Sequence, residues 1–277
     1  MTVAERSPQE LWVCHLGAVP YRRALAIQEQ VRARRQADEL PDTLLLLEHP
    51  PVYTRGRRSG AEDLPLGEGF YRAKGIDVVD VDRGGRLTYH GPGQLVGYPI
   101  MRIEDVCRYL RRIEDAVIAA LADTGLRARS RHSEGIDYTG VWVEDRKIAS
   151  IGVHVARGVT THGFAVNVDN DLEPFSWVLA CGLAGVRMTS VAAEQEGAAK
   201  LQGDRGPAAC LPADAPASAS ACFRKRVAYA FCQAHGRRQR LVSPRRLGID
   251  TTKPSRRAAK RAPINTSPPP LVQAVPA

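Results

Sequence analysis

No apolar run in the 277 residues approaches the roughly 20 needed to cross a bilayer. The first twelve residues carry Glu5, Arg6 and Glu10 without an apolar stretch, so the sequence predicts neither a membrane span nor a secretory signal. The six cysteines (Cys14, Cys107, Cys181, Cys210, Cys222 and Cys232) form no CxxC pair and show no zinc-ligand spacing, which leaves no metal site to expect. In a cytoplasmic chain, the expected location, they are reduced thiols, mostly small buried apolar groups. Aromatic content is only 6%, but 44% apolar and 25% charged residues are ordinary globular proportions; disorder throughout, collagen and coiled coil are excluded.

The net charge of +9 is unevenly placed. Residues 237–277 hold ten Lys and Arg against one Asp, while the rest of the chain holds 29 basic and 29 acidic residues. A neutral body with a basic end argues against a nucleic-acid binder and for a solvated extension that could at most steer an acidic partner.

Hydrophobic periodicity organises the rest. Residues 21–40 read as a helix, with Ala24, Ile27 and Val31 at helical spacing. Leu44, Leu45, Leu46 and Leu47 read as a short buried strand, closed by Pro50-Pro51. Residues 76–81 suggest a second strand. Val106, Leu110, Ile113, Val117 and Leu121 predict a helix over 105–124. Residues 140–153 then read as a hairpin turning at 144–146, and 160–168 as a further strand. This order predicts an α+β domain with a mixed, largely antiparallel sheet flanked by helices. The domain is expected over 1–202, a flexible Ala/Gly/Pro/Ser-rich linker over 203–221, a last helix over 222–236 and a basic, Pro-rich disordered tail over 237–277.

Three segments could carry chemistry. Residues 83–94 hold four glycines and one proline, giving a backbone that can approach a ligand closely, with Arg83, Thr88, Tyr89, His90 and Gln94 between them. The segment is neither GxxxxGK[ST] nor GxGxxG, so neither nucleotide-loop mechanism is written there; a plain turn with His90 as a satisfied polar group is the bland reading. Lys147 opens an otherwise apolar strand, either as a surface group or as an ammonium facing a cleft, where it could lower a neighbouring thiol's pKa. Cys181 precedes Gly182 after an apolar stretch, either as an inert core thiol or as an accessible one.

Several blocks together resemble the octanoyltransferases of lipoic acid synthesis: Glu48-His49-Pro50-Pro51-Val52-Tyr53-Thr54, Arg83-Gly84-Gly85-x-x-Thr88-Tyr89-His90-Gly91-Pro92-Gly93-Gln94, Gly140-Val141-Trp142, Lys147-Ile148-Ala149-Ser150-Ile151-Gly152, His162-Gly163-Phe164-Ala165-Val166-Asn167-Val168, Asp171-Leu172 and Cys181-Gly182. The resemblance covers about residues 10–200, and blocks matching together in order are far more specific than any one of them. It implies a fold like the biotin and lipoate protein ligase catalytic domain. It also implies that Cys181 carries an acyl-thioester, that Lys147 lowers its pKa, and that no cofactor is needed. Arg83, Gly84, Gly85, Arg86, Leu87, Thr88, Tyr89 and His90 would line the acyl site with Ser150, Ile151, Gly152, Gly163, Phe164 and Ala165. The implied donor is octanoyl-acyl carrier protein. The implied acceptors are lysines on the lipoyl domains of 2-oxoacid dehydrogenase E2 subunits and on the glycine cleavage H protein. Where the family has proline before the cysteine this chain has Ala180, and its Ala-Leu-Asn is Ala165-Val166-Asn167 here.

Two other enzyme readings compete. An ATP-dependent lipoate or biotin ligase would need an adenylate site, for which no nucleotide loop is found. A papain-like hydrolase would place its cysteine before its histidine, whereas His90 and His162 both precede Cys181.

Overall fold

Leu44 to Leu47 are all buried, and this sets the layer arrangement, because successive strand side chains point to opposite faces. In the computed structural model, which describes residues 9–179, 185–201 and 219–250, Leu44 and Leu46 enter one hydrophobic core and Leu45 and Leu47 another. A sheet covered on both faces requires such a strand.

The chain runs through β1 (Glu10–Ala18), α1 (Tyr21–Gln36), β2 (Thr43–Glu48) and β3 (Val52–Arg55). Next come α2 (Gly67–Ala73), β4 (Asp77–Asp80), β5 (Thr88–His90), β6 (Gln94–Ile100) and α3 (Val106–Ala122). β7 (Arg129–Ser130), β8 (Gly140–Val143), β9 (Arg146–Ala156) and β10 (Val159–Asn167) follow. α4 (Glu173–Ser176), α5 (Val191–Leu201), α6 (Ala219–Ala234) and β11 (Arg238–Leu241) complete it. Eight strands form one sheet in the order β11-β1-β2-β6-β10-β9-β8-β7, and β4-β3-β5 form a smaller one. In the large sheet only β11-β1 and β1-β2 are parallel. This is the mixed, largely antiparallel α+β arrangement that the sequence predicts. α3 and α6 cover one face through Ile113, Val117, Leu121, Val227 and Phe231. α1 covers the other through Ala24, Ile27 and Val31.

α3 begins where expected because the Asp105 carboxylate accepts from the Arg108 N–H (3.0 Å), satisfying an otherwise orphaned helix donor. The expected hairpin is β8 with β9, and β9 runs on to Ala156, three residues past the expected end, where it pairs with β10. β1 was not legible as a strand, although it also alternates between the cores, Leu11 and Val13 to one, Trp12 and Cys14 to the other.

The expected disordered tail is corrected over 237–250. β11 pairs in parallel with β1, and Leu247 and Ile249 are buried beside α1. Three of the basic residues there find carboxylates on β1 and beside β2: Arg238 and Arg240 pair with Glu10 (2.6 and 3.0 Å) while staying exposed, and Arg237 pairs with Asp42 (3.0 Å). Most of the expected linker and the remainder of the tail lie outside the described residues. Among the described cysteines Cys14 and Cys232 are buried, Cys222 is half-buried and Cys107 is exposed.

Candidate active site

The glycine-rich segment between β4 and β5 is laid across the sheet because glycines on both sides leave room for it. A Cβ on Gly152 of β9 would stand 2.8 Å from the Gly84 carbonyl oxygen, and one on Gly56, after β3, 2.5 Å from that of Gly85. Both are closer than a side chain tolerates against backbone. The Gly84 N–H donates to the Val153 carbonyl (2.9 Å), tying the segment to β9. Arg83, almost fully buried, holds its shape: the guanidinium donates to the Thr54 carbonyl and hydroxyl (both 2.7 Å) and to the Arg86 carbonyl (2.8 Å). Its neighbourhood is thus a scaffold as well as a lining.

Beneath this segment lies a cavity of about 560 Å³. Arg83, Gly84, Gly85, Arg86, Leu87, Thr88 and His90 line it from one side, and Lys147, Ser150, Ile151, Gly152, Gly163, Phe164 and Ala165 from the sheet. Tyr89 does not line it; alternation along β5 turns its ring the other way, against Tyr53 and Phe175. Lys147 is not a surface solubiliser, being 2% exposed. Its Nζ lies 5.3 Å from the centre of the Trp142 ring, and its stem passes Gly140, where a Cβ would stand 2.7 Å from Lys147 Cε. Cys181 lies outside the described residues. Lys147 exchanges backbone hydrogen bonds with Arg187 (2.8 Å) and Thr189 (3.0 Å), which stand six and eight residues after Cys181 in sequence.

Hydrogen-bond bookkeeping assigns the proton of His90. The Thr189 carbonyl can only accept, so it takes the Asn167 amide N–H (2.9 Å) and leaves Asn167 Oδ1 to accept from Gln94 Nε2 (2.9 Å). The Tyr89 carbonyl accepts from the same Gln94 nitrogen (3.1 Å), so Gln94 Oε1 faces His90 Nδ1 at 2.7 Å and requires a proton there. Burial, with the neighbouring His49, holds this imidazole well below its ordinary pKa. His90 is therefore a neutral ring with its Nε2 lone pair toward Thr54 Oγ1 (3.5 Å). Its tautomer is fixed by this chain of amides.

Tyr21, Tyr98 and His162 also line the cavity, and sequence reasoning assigned them no place in it. His162 opens one of the matching blocks, whose lining starts only at Gly163 in the sequence reading, and neither Tyr21 at a helix start nor Tyr98 within a strand carries a periodic signal of its own. His162 has φ +58°, left-handed backbone inside a strand, a strained conformation for a residue with a side chain. Its Nε2 lies 2.8 Å from Asp82 Oδ1; this hydrogen bond leads the causes that take the Asp82 carboxyl down to about 2. His49 bonds the Val19 carbonyl through Nδ1 (2.6 Å) and the Tyr98 hydroxyl through Nε2 (2.7 Å). Among the described residues no group of three or more His, Cys, Asp or Glu is placed to hold a metal ion, and no helix is long and apolar enough to cross a membrane.

The buried histidines give a pH dependence of stability. Burial takes His49 and His235 down to about 4, whereas in the unfolded chain each titrates near 6.5. Below pH 6.5 the unfolded state binds protons that the folded state refuses, so stability falls on acidification until the folded pKa is reached. Each should remove about 2 kcal/mol between pH 7 and pH 5. Asp82 acts in the same direction only below about pH 4. Urea unfolding at the two pH values checks this; equal stability at both would mean the histidines protonate in place.

The match to known proteins agrees with this geometry. Residues 20–202 match the family model described as the lipoyl protein ligase A/B catalytic domain. The octanoyltransferase of Acidothermus cellulolyticus is 48% identical over 184 residues, covering 65% of this chain and 80% of that protein. That of Thermobifida fusca is 44% identical over 202 residues, covering 68% and 82%. Among solved structures, lipoate-protein ligase A bound with ATP superposes with a TM-score of 0.61 at 16% identity, covering 86% of this chain and 89% of that one. The bipartite lipoate protein ligase of Thermoplasma acidophilum gives 0.58 at 17% identity, covering 85% and 87%. These structural likenesses show the fold.

Proposed function

Because the chain belongs to the octanoyltransferases of the lipoyl protein ligase A/B catalytic-domain family, we propose that this acyltransferase takes an octanoyl group from octanoyl-acyl carrier protein onto Cys181 and passes it to a lysine of a lipoyl domain. Lipoyl domains of 2-oxoacid dehydrogenase E2 subunits and the glycine cleavage H protein are the acceptors of this reading. The observation that carries it is the buried Lys147 in the wall of a 560 Å³ cavity, beside an apolar stretch of wall made by Ile151, Phe164 and Ala165.

The donor is already a thioester, so no nucleotide has to activate it. An ordinary thiol, with a pKa near ~8.5, is only a few per cent thiolate at neutral pH, and an adjacent ammonium raises that fraction. The Cys181 thiolate adds to the donor carbonyl, and the tetrahedral oxyanion collapses, breaking the carbon–sulfur bond to the donor. Lys147 protonates the departing thiolate. Neutral Lys147 then takes one proton from the incoming lysine ammonium, whose amine attacks the acyl-enzyme; as the carbon–sulfur bond breaks, the Cys181 thiolate is regenerated and the second amine proton passes to solvent. Backbone N–H groups are the expected oxyanion donors. Those of Gly84 and Gly93 are already committed, to the Val153 carbonyl and the Glu48 carboxylate. Ile151, Gly152, Gly163, Phe164 and Ala165 offer the acyl chain an apolar wall, with each buried methylene contributing about 0.8 kcal/mol.

Intact mass spectrometry after incubation with octanoyl-acyl carrier protein tests this. A gain of one octanoyl group mapped to Cys181, discharged when a lipoyl domain is added, is the expected result. An adduct elsewhere, or none, would refute it.

A further inference from the structure

The charge of the cavity does not match the groups that react in it. Arg57, Arg58, Arg83, Arg86 and Lys147 line it against Asp137, with Glu62 and Asp63 paired to Arg86 behind the wall, which leaves the lining net positive. A thioester is neutral, an acceptor lysine arrives as a cation, and the thiolate and oxyanion form beside Lys147, so none of them calls for cations at the mouth. An anion elsewhere on the donor does.

The cations are not equivalent. Arg58 pairs with Asp137 (2.7 Å), and Arg86 with Glu62 (2.6 Å). Arg83 and Lys147 are buried. Arg57 is exposed at the solvent-side rim, which it shares with the exposed Arg58 and Ile136 and the half-buried Asp137, and its side chain has no carboxylate partner among the described residues. Its backbone is fixed: the Arg57 N–H donates to the Arg83 carbonyl (3.1 Å) and that of Arg58 to Gly85 (3.2 Å), locking the rim to the glycine-rich segment.

We propose that Arg57 binds the phosphate of a phosphopantetheine thioester, the phosphate and the thioester lying at opposite ends of one arm that spans the cavity from rim to Lys147. This rests on the thioester-donor reading above. A guanidinium suits a phosphate ester because it presents paired donors to two oxygens, and a rim position lets the arm leave toward the carrier.

The test uses the full chain and two donors that differ only in the phosphate, octanoyl-phosphopantetheine and octanoyl-pantetheine, with acyl-enzyme formation followed by mass. The wild-type protein should favour the phosphorylated donor by about tenfold in kcat/KM. Arg57→Gln should bring that ratio toward one, and Arg57→Lys should restore part of it. The same fractional loss in Arg57→Gln is expected with octanoyl-acyl carrier protein, which presents the same phosphate. Equal use of both small donors by the wild-type protein, or an unchanged ratio in Arg57→Gln, overturns the inference while leaving the acyl-enzyme reading intact. Acylation by octanoyl-adenylate alone would mean that the arginines face a nucleotide phosphate, and would overturn both.

Discussion

Cys181→Ser is expected to lower octanoyl transfer by about 10³-fold or more and to remove the acyl-enzyme from the mass spectrum, with the thermal unfolding midpoint nearly unchanged. The oxygen is close to the sulfur in size, so packing changes little. An alcohol, however, is far weaker than a thiolate as a nucleophile at neutral pH, and an ammonium alone does not deprotonate it. Replacing Cys14, Cys107, Cys210, Cys222 and Cys232 one at a time should leave the adduct in place. Loss of the adduct in Cys107→Ala, or near-wild-type transfer by Cys181→Ser, would move the nucleophile elsewhere.

Lys147→Met is expected to cost about 10²–10⁴-fold in transfer, the range of a lost general acid and base. Methionine keeps most of the stem that runs past Gly140 toward the Trp142 ring, so the electrostatic loss should exceed the packing loss. The pH profile of iodoacetamide labelling at Cys181 separates the two roles of the ammonium. Its midpoint should lie below that of an ordinary thiol in the wild-type protein and rise in Lys147→Met. Lys147→Arg should restore part of the depression but not turnover, because a guanidinium keeps its charge and cannot accept the acceptor's proton. An unchanged midpoint in Lys147→Met would end the pairing; full turnover in Lys147→Arg would end the acid–base role.

The family, the sheet and most of the cavity lining were legible in the residues themselves. Period-3.6 spacing in α3 and the four-leucine run of β2 are local signals, since each records which faces of one element are covered. The glycine-rich block and the block that begins at Lys147 were visible as motifs, and the structure brings them to opposite walls of one cavity. What the sequence did not carry was set by contacts between distant segments. Nothing near Arg238 or Arg240 announces that both pair with Glu10, more than 220 residues earlier, on the strand along which β11 lies. Tyr89 and His90 stand side by side in one motif, yet strand alternation puts only His90 into the cavity. The protonation of His90 follows from a chain of amides ending at Thr189, and the strained His162 gains its Asp82 partner across 80 residues. Sequence determined which residue types were available and how each element would bury its faces. Tertiary structure decided which distant charges are paired, because beyond one helical turn a charge's partner is chosen by distance in space, which separation along the chain does not report.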